Sequence, residues 1–184
     1  MNKNDLIKIK NQNFENIKDR LDTSKNAFVL LCKSGDLKQI DDYISADGYF
    51  ALEKTLCTMS QDDVVQTILQ SGLRGRGGAG FPTGKKWQIA KQVDAKQKYI
   101  ICNCDEGDPG AFMDRAIAES YPHAILEAMA IAGYAIGANK GMIYVRAEYP
   151  KAVENLTYAI EQAKQYGLLG KNIFSSNFDF DIQI

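Results

Sequence analysis

Strand and helix patterns alternate through the second half of the chain, and this order constrains the fold more than any other feature. Residues 98–102 and 141–145 are short apolar runs of the kind found in buried strands. Between them lies a helix pattern that starts at Pro122 and stops at Gly137, a residue type suited to a helix C-terminus. A second helix pattern runs from 150 to 167, and residues 178–184 then alternate apolar and polar with the period of a strand. Strands that alternate with helices favour βαβ units and a mostly parallel sheet.

We therefore predict the α/β class: a Rossmann-like, mostly parallel sheet with helices on both faces. Because the sequence stops in or at the end of a strand, we expect the sheet to be incomplete at its C-terminus. Apolar side chains of that last strand, such as Phe178 and Phe180, should then be exposed.

The first quarter of the chain has weaker patterns. Residues 1–46 are predicted to form an N-terminal arm together with a short strand at 27–32. Up to about residue 25 the pattern fits a marginal amphipathic helix or a loose tail, and we favour a weakly ordered arm that packs on another surface. Residues 47–184 are predicted to form the main domain. Within it, Ser60 and Asp63 resemble a capping box at the start of a helix that Gly72 ends.

Charge and composition exclude several classes of function. Lys plus Arg is 22 and Asp plus Glu is 23, whereas nucleic-acid binding needs a net basic surface, so no nucleic-acid partner is expected. No apolar run approaches the roughly 20 residues that cross a bilayer, and the first residues lack a secretory signal. We expect a cytoplasmic protein without direct membrane insertion. The four cysteines form no Cys-x-x-Cys pair and there is one histidine, so no metal or iron–sulfur site is expected within the chain.

The densest motif is a glycine-rich, basic run at residues 72–87. It formally matches the dinucleotide fingerprint, but a helix pattern precedes it where that fingerprint needs a strand. The P-loop pattern also fails, because Gly80 and Gly84 are one residue too close together and Lys86 stands where Ser or Thr should be.

The composition of this run nevertheless favours binding of an anion or a nucleotide. Consecutive glycines let backbone N–H groups approach a phosphate or a flat ring. The run also carries four cations and two aromatic rings: Arg74, Arg76, Lys85, Lys86, Phe81 and Trp87. The alternative is a flexible surface loop with solvated charges.

An acidic turn at residues 103–110 follows the first of these strands directly. Ligands of open α/β sheets bind at the carboxyl ends of strands, and carboxylates accept hydrogen bonds from ribose or ribityl hydroxyls. The polar side chains placed there are Asn103, Asp105, Glu106 and Asp108. The alternatives are a solvated turn, a paired-carboxylate hydrolase and a metal site that adds Asp114. Against the hydrolase, no third group is placed to orient a water. Against the metal site, the spacing of the carboxylates matches no calcium-binding loop.

Other polar residues give weaker signals. We predict a structural or surface role for His123 and a core position for Cys102. Cys104 lies beside the acidic turn, where negative neighbours disfavour a thiolate, so it is not expected to be a nucleophile. Three residues that follow a strand at the same sheet edge either line the site or close the loop: Arg146, Glu148 and Tyr149.

Together the two motifs resemble the flavin-bearing subunit of respiratory complex I and the diaphorase subunits of NAD-linked hydrogenases and formate dehydrogenases. The resemblance is carried by Gly-Leu-Arg-Gly-Arg-Gly-Gly-Ala-Gly-Phe-Pro-Thr-Gly at 72–84 and by Cys-Asn-x-Asp-Glu-Gly-Asp-Pro-Gly-Ala-Phe at 102–112, and it covers residues 47–184. It implies FMN and NADH in one pocket, with hydride transfer from NADH to FMN. Electrons then pass to iron–sulfur clusters outside this chain.

The resemblance also assigns ten residues. Those on the FMN side are Gly75, Arg76, Gly77, Lys86, Asn103, Asp105 and Glu106. Those on the NADH side are Gly78, Phe81 and Asp108. No residue is assigned a catalytic role, because hydride transfer is chemistry of the cofactors.

The implied partners are a thioredoxin-like [2Fe-2S] subunit and further iron–sulfur subunits of a redox complex, peripheral at the inner face of the membrane. In this family the chain continues past a strand like 178–184 into segments that complete the pocket, and then into β-rich and iron–sulfur domains. This sequence contains none of them. We therefore expect a fragment of an NADH-oxidising subunit, inactive alone, with a non-catalytic nucleotide- or partner-binding module as the alternative.

Overall fold

The computed structural model describes residues 1–17 and 37–184. The helices in these ranges are α1 (Lys3–Ile17), α2 (Ile40–Ser45), α3 (Phe50–Thr58), α4 (Gln61–Gln70), α5 (Thr83–Gln92), α6 (Met113–Ser120), α7 (Pro122–Ile136) and α8 (Pro150–Gln165). The strands are β1 (Tyr99–Cys104), β2 (Lys140–Val145), β3 (Gly170–Ile173) and β4 (Phe178–Gln183). The strand predicted at 27–32 lies outside the described residues.

The four strands form one sheet in the order β1-β2-β4-β3. β1 and β4 both pair with β2 in parallel, whereas β3 pairs with β4 in antiparallel orientation. The α/β class and the mostly parallel sheet are confirmed. β3 was not predicted, because its four residues are too few to show a period and residues with positive φ follow it, including Phe174 and Ser175.

Helices of the described residues cover one face of this sheet. From β1 to β2 to β4 each connection steps in the same direction, and right-handed crossovers then place the connecting helices on the same side. α7 packs against all three strands, and α8 contributes Leu156 and Ile160 to the same core as Ile143, Phe180 and Ile182.

The opposite face carries large side chains that are between 46% and 63% exposed: Tyr99, Ile101, Met142 and Tyr144. We call these four residues the open face. Helices were predicted on both faces of the sheet, but within the described ranges they cover only one face.

The last strand is covered on its inner side. Phe180 is fully buried, Phe178 stacks on it with ring centroids 5.9 Å apart, and Tyr134 of α7 meets Phe178 edge-on at 5.6 Å. The expected exposure of these two phenylalanines was wrong, because both lie on the side that α7 covers.

The N-terminal residues form a helix where a weakly ordered arm was predicted. Leu6 of α1 is fully buried, and the helix packs against α2 and α3. The ammonium of Lys10 lies 2.6 Å from the Asp47 carboxylate. The helix forms because tertiary packing around one fully buried leucine outweighs weak intrinsic helix propensity.

A buried polar network joins the helical layer. The Glu127 carboxylate accepts hydrogen bonds from the Tyr43 hydroxyl (2.6 Å) and from the backbone N–H of Tyr49 (2.9 Å) and Leu52 (3.0 Å). His123 is fully buried: its Nδ1 lies 2.9 Å from the Tyr49 hydroxyl and its Nε2 lies 3.1 Å from Gln162 Oε1. Burial lowers the pKa of His123 to about 4. Its role is structural, as the sequence predicted.

Candidate functional site

The first part of the candidate site is a loop at residues 71–82 between α4 and α5, which we call the glycine loop. Two backbone bonds close its base: Gly75 N–H to the Phe81 carbonyl and Thr83 N–H to the Leu73 carbonyl, both 2.9 Å. The Arg74 guanidinium donates to the Gly80 carbonyl at 3.0 Å. Arg74 therefore holds the loop in shape.

The tip of the glycine loop is bare backbone. A Cβ added at Gly77, Gly78 or Gly80 would meet nothing within 4 Å. Gly78 (φ 97°) and Gly80 (φ 60°) have left-handed backbone conformations that other residues rarely adopt. The glycines thus set the conformation of the loop and leave its N–H groups open to an incoming group.

Two of the four cations in this region are available to a ligand. The Lys85 ammonium donates to Gln88 Oε1 at 3.0 Å, and Arg74 is engaged as described above. In the part of the chain that the structure describes, the side chains of Arg76 and Lys86 make no hydrogen bond or ion pair. Phe81, 44% exposed, lies in the same segment. The segment therefore offers positive charge and one flat ring.

Tight packing of α5 on α4 holds this loop in place. A Cβ on Gly84 would lie 2.5 Å from the Leu69 backbone nitrogen, so only glycine permits this approach. Trp87 packs on the cluster that contains Val64 and Val65. The predicted capping box is confirmed at the start of α4: Ser60 Oγ accepts from Asp63 N–H at 3.2 Å, and the Asp63 carboxylate accepts from Ser60 N–H at 2.9 Å.

The second part is the acidic turn, which leads from β1 to α6, and Glu106 is its centre. The Glu106 carboxylate accepts three backbone N–H groups at the start of α6: Met113 (2.7 Å), Asp114 (3.1 Å) and Arg115 (3.2 Å). No side-chain cap is supplied by Phe112, the N-cap residue of α6. Glu106 therefore satisfies N–H groups that lack a helical partner, and its charge suits the positive end of the helix dipole.

Arg146, just past β2, braces the same turn from the other side. Its guanidinium donates to the Glu106 carbonyl oxygen, lies 3.7 Å from the Asp105 carboxylate and bonds Glu148 at 3.3 Å. The Tyr149 hydroxyl donates to the same Glu106 carbonyl at 3.3 Å. These residues were predicted either to line the site or to close the loop, and their contacts support closing the loop.

The remaining turn residues are more open. Asn103 Oδ1 accepts from the Asp105 N–H at 2.8 Å, and Asp105 keeps half of its side chain exposed. The Asp108 carboxylate is exposed and has no partner among the described residues. In the same ranges no group of three or more His, Cys, Asp or Glu side chains is arranged to hold a metal ion.

The structure brings the turn residues together but does not join the turn to the glycine loop. Within residues 1–17 and 37–184, no hydrogen bond or ion pair links residues 71–82 to residues 103–112. The Lys98 ammonium bonds the carbonyls of Lys91 (2.8 Å) and Ile136 (3.1 Å), so α5 and α7 both end beside the start of β1. The glycine loop lies at the opposite end of α5, about 15 Å along the helix from these two bonds.

Two features near the turn were missed by the sequence analysis. Tyr144 lies opposite Asn103 in the β1–β2 register and is 63% exposed. Arg115 and Arg146 lie over the Tyr149 ring, each 5.6 Å from its centroid. The signal for Tyr144 was present, since a strand residue two positions from Met142 shares its face. Nothing in the sequence places Arg115 next to Tyr149.

No helix within the described ranges is long and apolar enough to span a membrane.

Comparison with known proteins gives consistent matches. The family model of the Nuo51 FMN-binding domain matches residues 68–184. HndC of Solidesulfovibrio fructosivorans, a subunit of an NADP-reducing hydrogenase, is 59% identical over 153 residues, which are 83% of this chain and 31% of that protein. The F subunit of the NADH-quinone oxidoreductase of Aquifex aeolicus is 48% identical over 163 residues, or 89% of this chain and 38% of that protein.

Among solved structures, NAD+-reducing [NiFe]-hydrogenase in the H2-reduced state matches with a TM-score of 0.63 at 28% identity. That match covers 91% of this chain and 29% of the other chain. The present chain thus spans about a third of the length of the relatives it matches. On these matches, the chain belongs to the family of the Nuo51 FMN-binding domain.

Proposed function

We propose that this chain supplies the FMN- and NADH-binding part of an NADH-oxidising flavoprotein subunit. The observation that carries the proposal is the bare backbone of the glycine loop next to Arg76 and Lys86, two cations without partners in the described ranges. This combination suits phosphate groups, because backbone N–H groups and positive charge both stabilise an anion. When bound, FMN would supply the ring that accepts a hydride from NADH and passes electrons onward singly.

Each predicted site residue has a task consistent with its surroundings. Gly75 closes the base of the loop, Gly77 leaves the backbone open, and Arg76 and Lys86 offset phosphate charge. Asn103 and Asp105 offer acceptors to ribityl hydroxyls, and Glu106 fixes the turn through α6. On the NADH side, Gly78 adds open backbone, Phe81 offers a flat face to the adenine, and Asp108 places a carboxylate near the ribose.

The names of the relatives support a role within a larger complex. Those names describe subunits of an NADP-reducing hydrogenase and of NADH-quinone oxidoreductases. We propose that this chain likewise works within a multi-subunit redox complex, with a thioredoxin-like [2Fe-2S] subunit and further iron–sulfur subunits. The complex would lie in the cytoplasm, peripheral at the inner face of the membrane. Residues 1–46 would form an N-terminal extension to the FMN/NADH domain at 47–184.

A chimera tests the proposal. In the F subunit of the Aquifex aeolicus enzyme, the matching segment is replaced by this chain, and flavin content and NADH:ferricyanide activity are measured. We expect the chimera to retain FMN and to reduce ferricyanide. A folded chimera that purifies without FMN would contradict the proposal, provided the unmodified Aquifex protein retains FMN under the same conditions.

The second candidate is a binding module that does not turn over by itself. Two observations favour it for the 184-residue chain alone: no polar contact joins the glycine loop to the acidic turn within the described ranges, and the Glu106 carboxylate is already engaged by α6. If two or three hydrogen bonds to FMN are missing at about 1 kcal/mol each, its affinity falls by roughly one to two decades. We predict weak or no FMN binding and no substantial NADH:ferricyanide activity.

The fluorescence of Trp87, the single tryptophan, measures this prediction, because the residue follows Lys86 directly. FMN is titrated and the quenching is corrected for inner-filter absorption. Saturation at nanomolar FMN, with bleaching of the flavin by NADH, would show that the chain is sufficient by itself.

A further inference from the structure

Two cysteines of β1 form a close thiol pair that the proposed function does not use. Cys102 and Cys104 lie two positions apart on the same face of the strand, and their sulfurs are 3.6 Å apart. Cys104 is buried at 5% exposure, whereas Cys102 is partly exposed. Both are fixed by the parallel register with β2, Cys102 opposite Ile143 and Cys104 opposite Val145.

We propose that Cys102 and Cys104 form a dithiol site that binds one trivalent organoarsenical through both sulfurs. In this reaction R–As=O loses its oxygen as water, which carries away the two thiol protons. Two As–S bonds form and no oxidation state changes. The expected ligands are neutral compounds of trivalent arsenic in which the arsenic keeps one organic substituent and bonds to two protein sulfurs.

The spacing favours a bridging atom over a direct disulfide. The two sulfurs of a disulfide are about 2.05 Å apart, so this pair would have to approach by roughly a further 1.5 Å. Alternate residues of a strand have Cα atoms about 6.6 Å apart, near the upper end of the range that a disulfide spans. Pairing of both residues with β2 opposes the contraction, whereas an atom bonded to both sulfurs at the apex of an S–As–S triangle lets them stay close to their present separation.

The surroundings favour a metalloid over zinc. Structural zinc takes four protein ligands, and the described residues contain no group of three or more candidate ligands. The hydrogen bond with Cys102 and burial raise the pKa of Cys104, and the nearby carboxylates of Asp114 and Glu106 raise it further. A neutral arsenical experiences no net repulsion from these acids.

The two thiols have different parts in the reaction. The hydrogen bond from Cys104 lowers the pKa of Cys102, which is also the more exposed of the two. Because the thiolate is the nucleophile, Cys102 makes the first bond. Cys104 then closes the chelate from the inner side.

The test uses the 184-residue chain in a Cys32→Ser/Cys57→Ser background, which leaves this pair as its only cysteines. Phenylarsine oxide is titrated, free thiols are counted and the intact mass is measured. We expect one phenylarsenic group per chain and loss of both free thiols. The adduct should survive excess glutathione, and 2,3-dimercaptopropanol should release the arsenical.

Three control variants are made in the same background. Cys102→Ser and Cys104→Ser each leave one thiol, and apparent affinity should fall about 100-fold or more, because the second As–S bond is intramolecular only in the pair. Asn103→Cys/Cys104→Ser keeps two thiols but puts them on opposite faces of the strand. It should behave like the single-thiol chains, with circular dichroism confirming that each variant is folded.

Three results would overturn the proposal. The first is binding of two arsenicals per chain, and the second is equal affinity in the parent and single-thiol chains. The third is affinity that is unchanged when the parent is unfolded in urea, since the paired geometry would then contribute nothing.

Discussion

Replacing Lys86 with alanine should weaken FMN binding, while the same change at Lys85 should not. The two residues are neighbours on the first turn of α5, and both are exposed. Lys85 already donates to Gln88 at 3.0 Å, whereas Lys86 has no partner among the described residues. Lys85→Ala is therefore a control matched for charge, helix position and exposure.

The magnitude follows from the contact that Lys86 would make. A hydrogen bond to a charged group contributes roughly 1.5–3 kcal/mol, which corresponds to about a 10- to 100-fold loss of affinity. Because the Lys86 side chain makes no hydrogen bond or ion pair within the described ranges, its removal should change folding stability by no more than about 0.5 kcal/mol. The loss of FMN would then be a binding effect and not a folding effect.

Flavin content per chain, measured after gel filtration of the chimera with the Aquifex protein, tests this prediction. Urea denaturation of each variant confirms that stability is unchanged. Equal loss of flavin from both variants would refute the assignment of Lys86, because it would show that general positive charge holds the anion.

Three further predictions concern other parts of the molecule. The pKa of His123 is about 4 in the folded chain, against about 6.5 when unfolded. The unfolded state therefore binds more protons in this interval, and stability should fall by about 3 kcal/mol as the pH is lowered from about 6.5 to about 4. His123→Gln should weaken the dependence of the unfolding free energy on pH, measured by urea denaturation, and an unchanged dependence would refute this role of His123. Glu106→Gln should destabilise the chain by about 1 kcal/mol in the same assay, because α6 loses a charged cap; no change would show that the cap contributes little. In the chimera, NADH should be preferred over NADPH because the Asp108 carboxylate repels a 2′-phosphate, and Asp108→Asn should reduce the preference; equal affinities by calorimetry would contradict this.

Residues typical of helix ends correctly predicted where two of the helices begin or end. Pro122 and Gly137 delimit α7, and Gly137 has the left-handed conformation (φ 77°) expected after a helix. Ser60 and Asp63 started α4 as predicted. In each case the determining interaction lies within a few residues of the chain, so the sequence alone contains it.

Tertiary interactions determined what the sequence did not predict. Whether α1 is a helix depends on a pocket for Leu6, to which distant segments contribute. Glu106 was predicted to hold FMN, and its additional role as the cap of α6 depends on that helix starting seven residues later at the correct angle. The second bracing contact, from Arg146, crosses 40 residues of sequence. Patterns of period 2 or 3.6 contain no information on such pairings.

One topological fact connects the candidate site with the dithiol pair. Because successive crossovers step in one direction, the helices lie on one face, and alternate residues of β1 face opposite environments. Asn103 is exposed on the side of Tyr144, whereas Cys102 and Cys104 face the helical layer. The thiol pair therefore lies behind the strand that presents Asn103. A substituent on the sulfurs would reach the candidate site only through the backbone of β1 and the turn that Glu106 anchors.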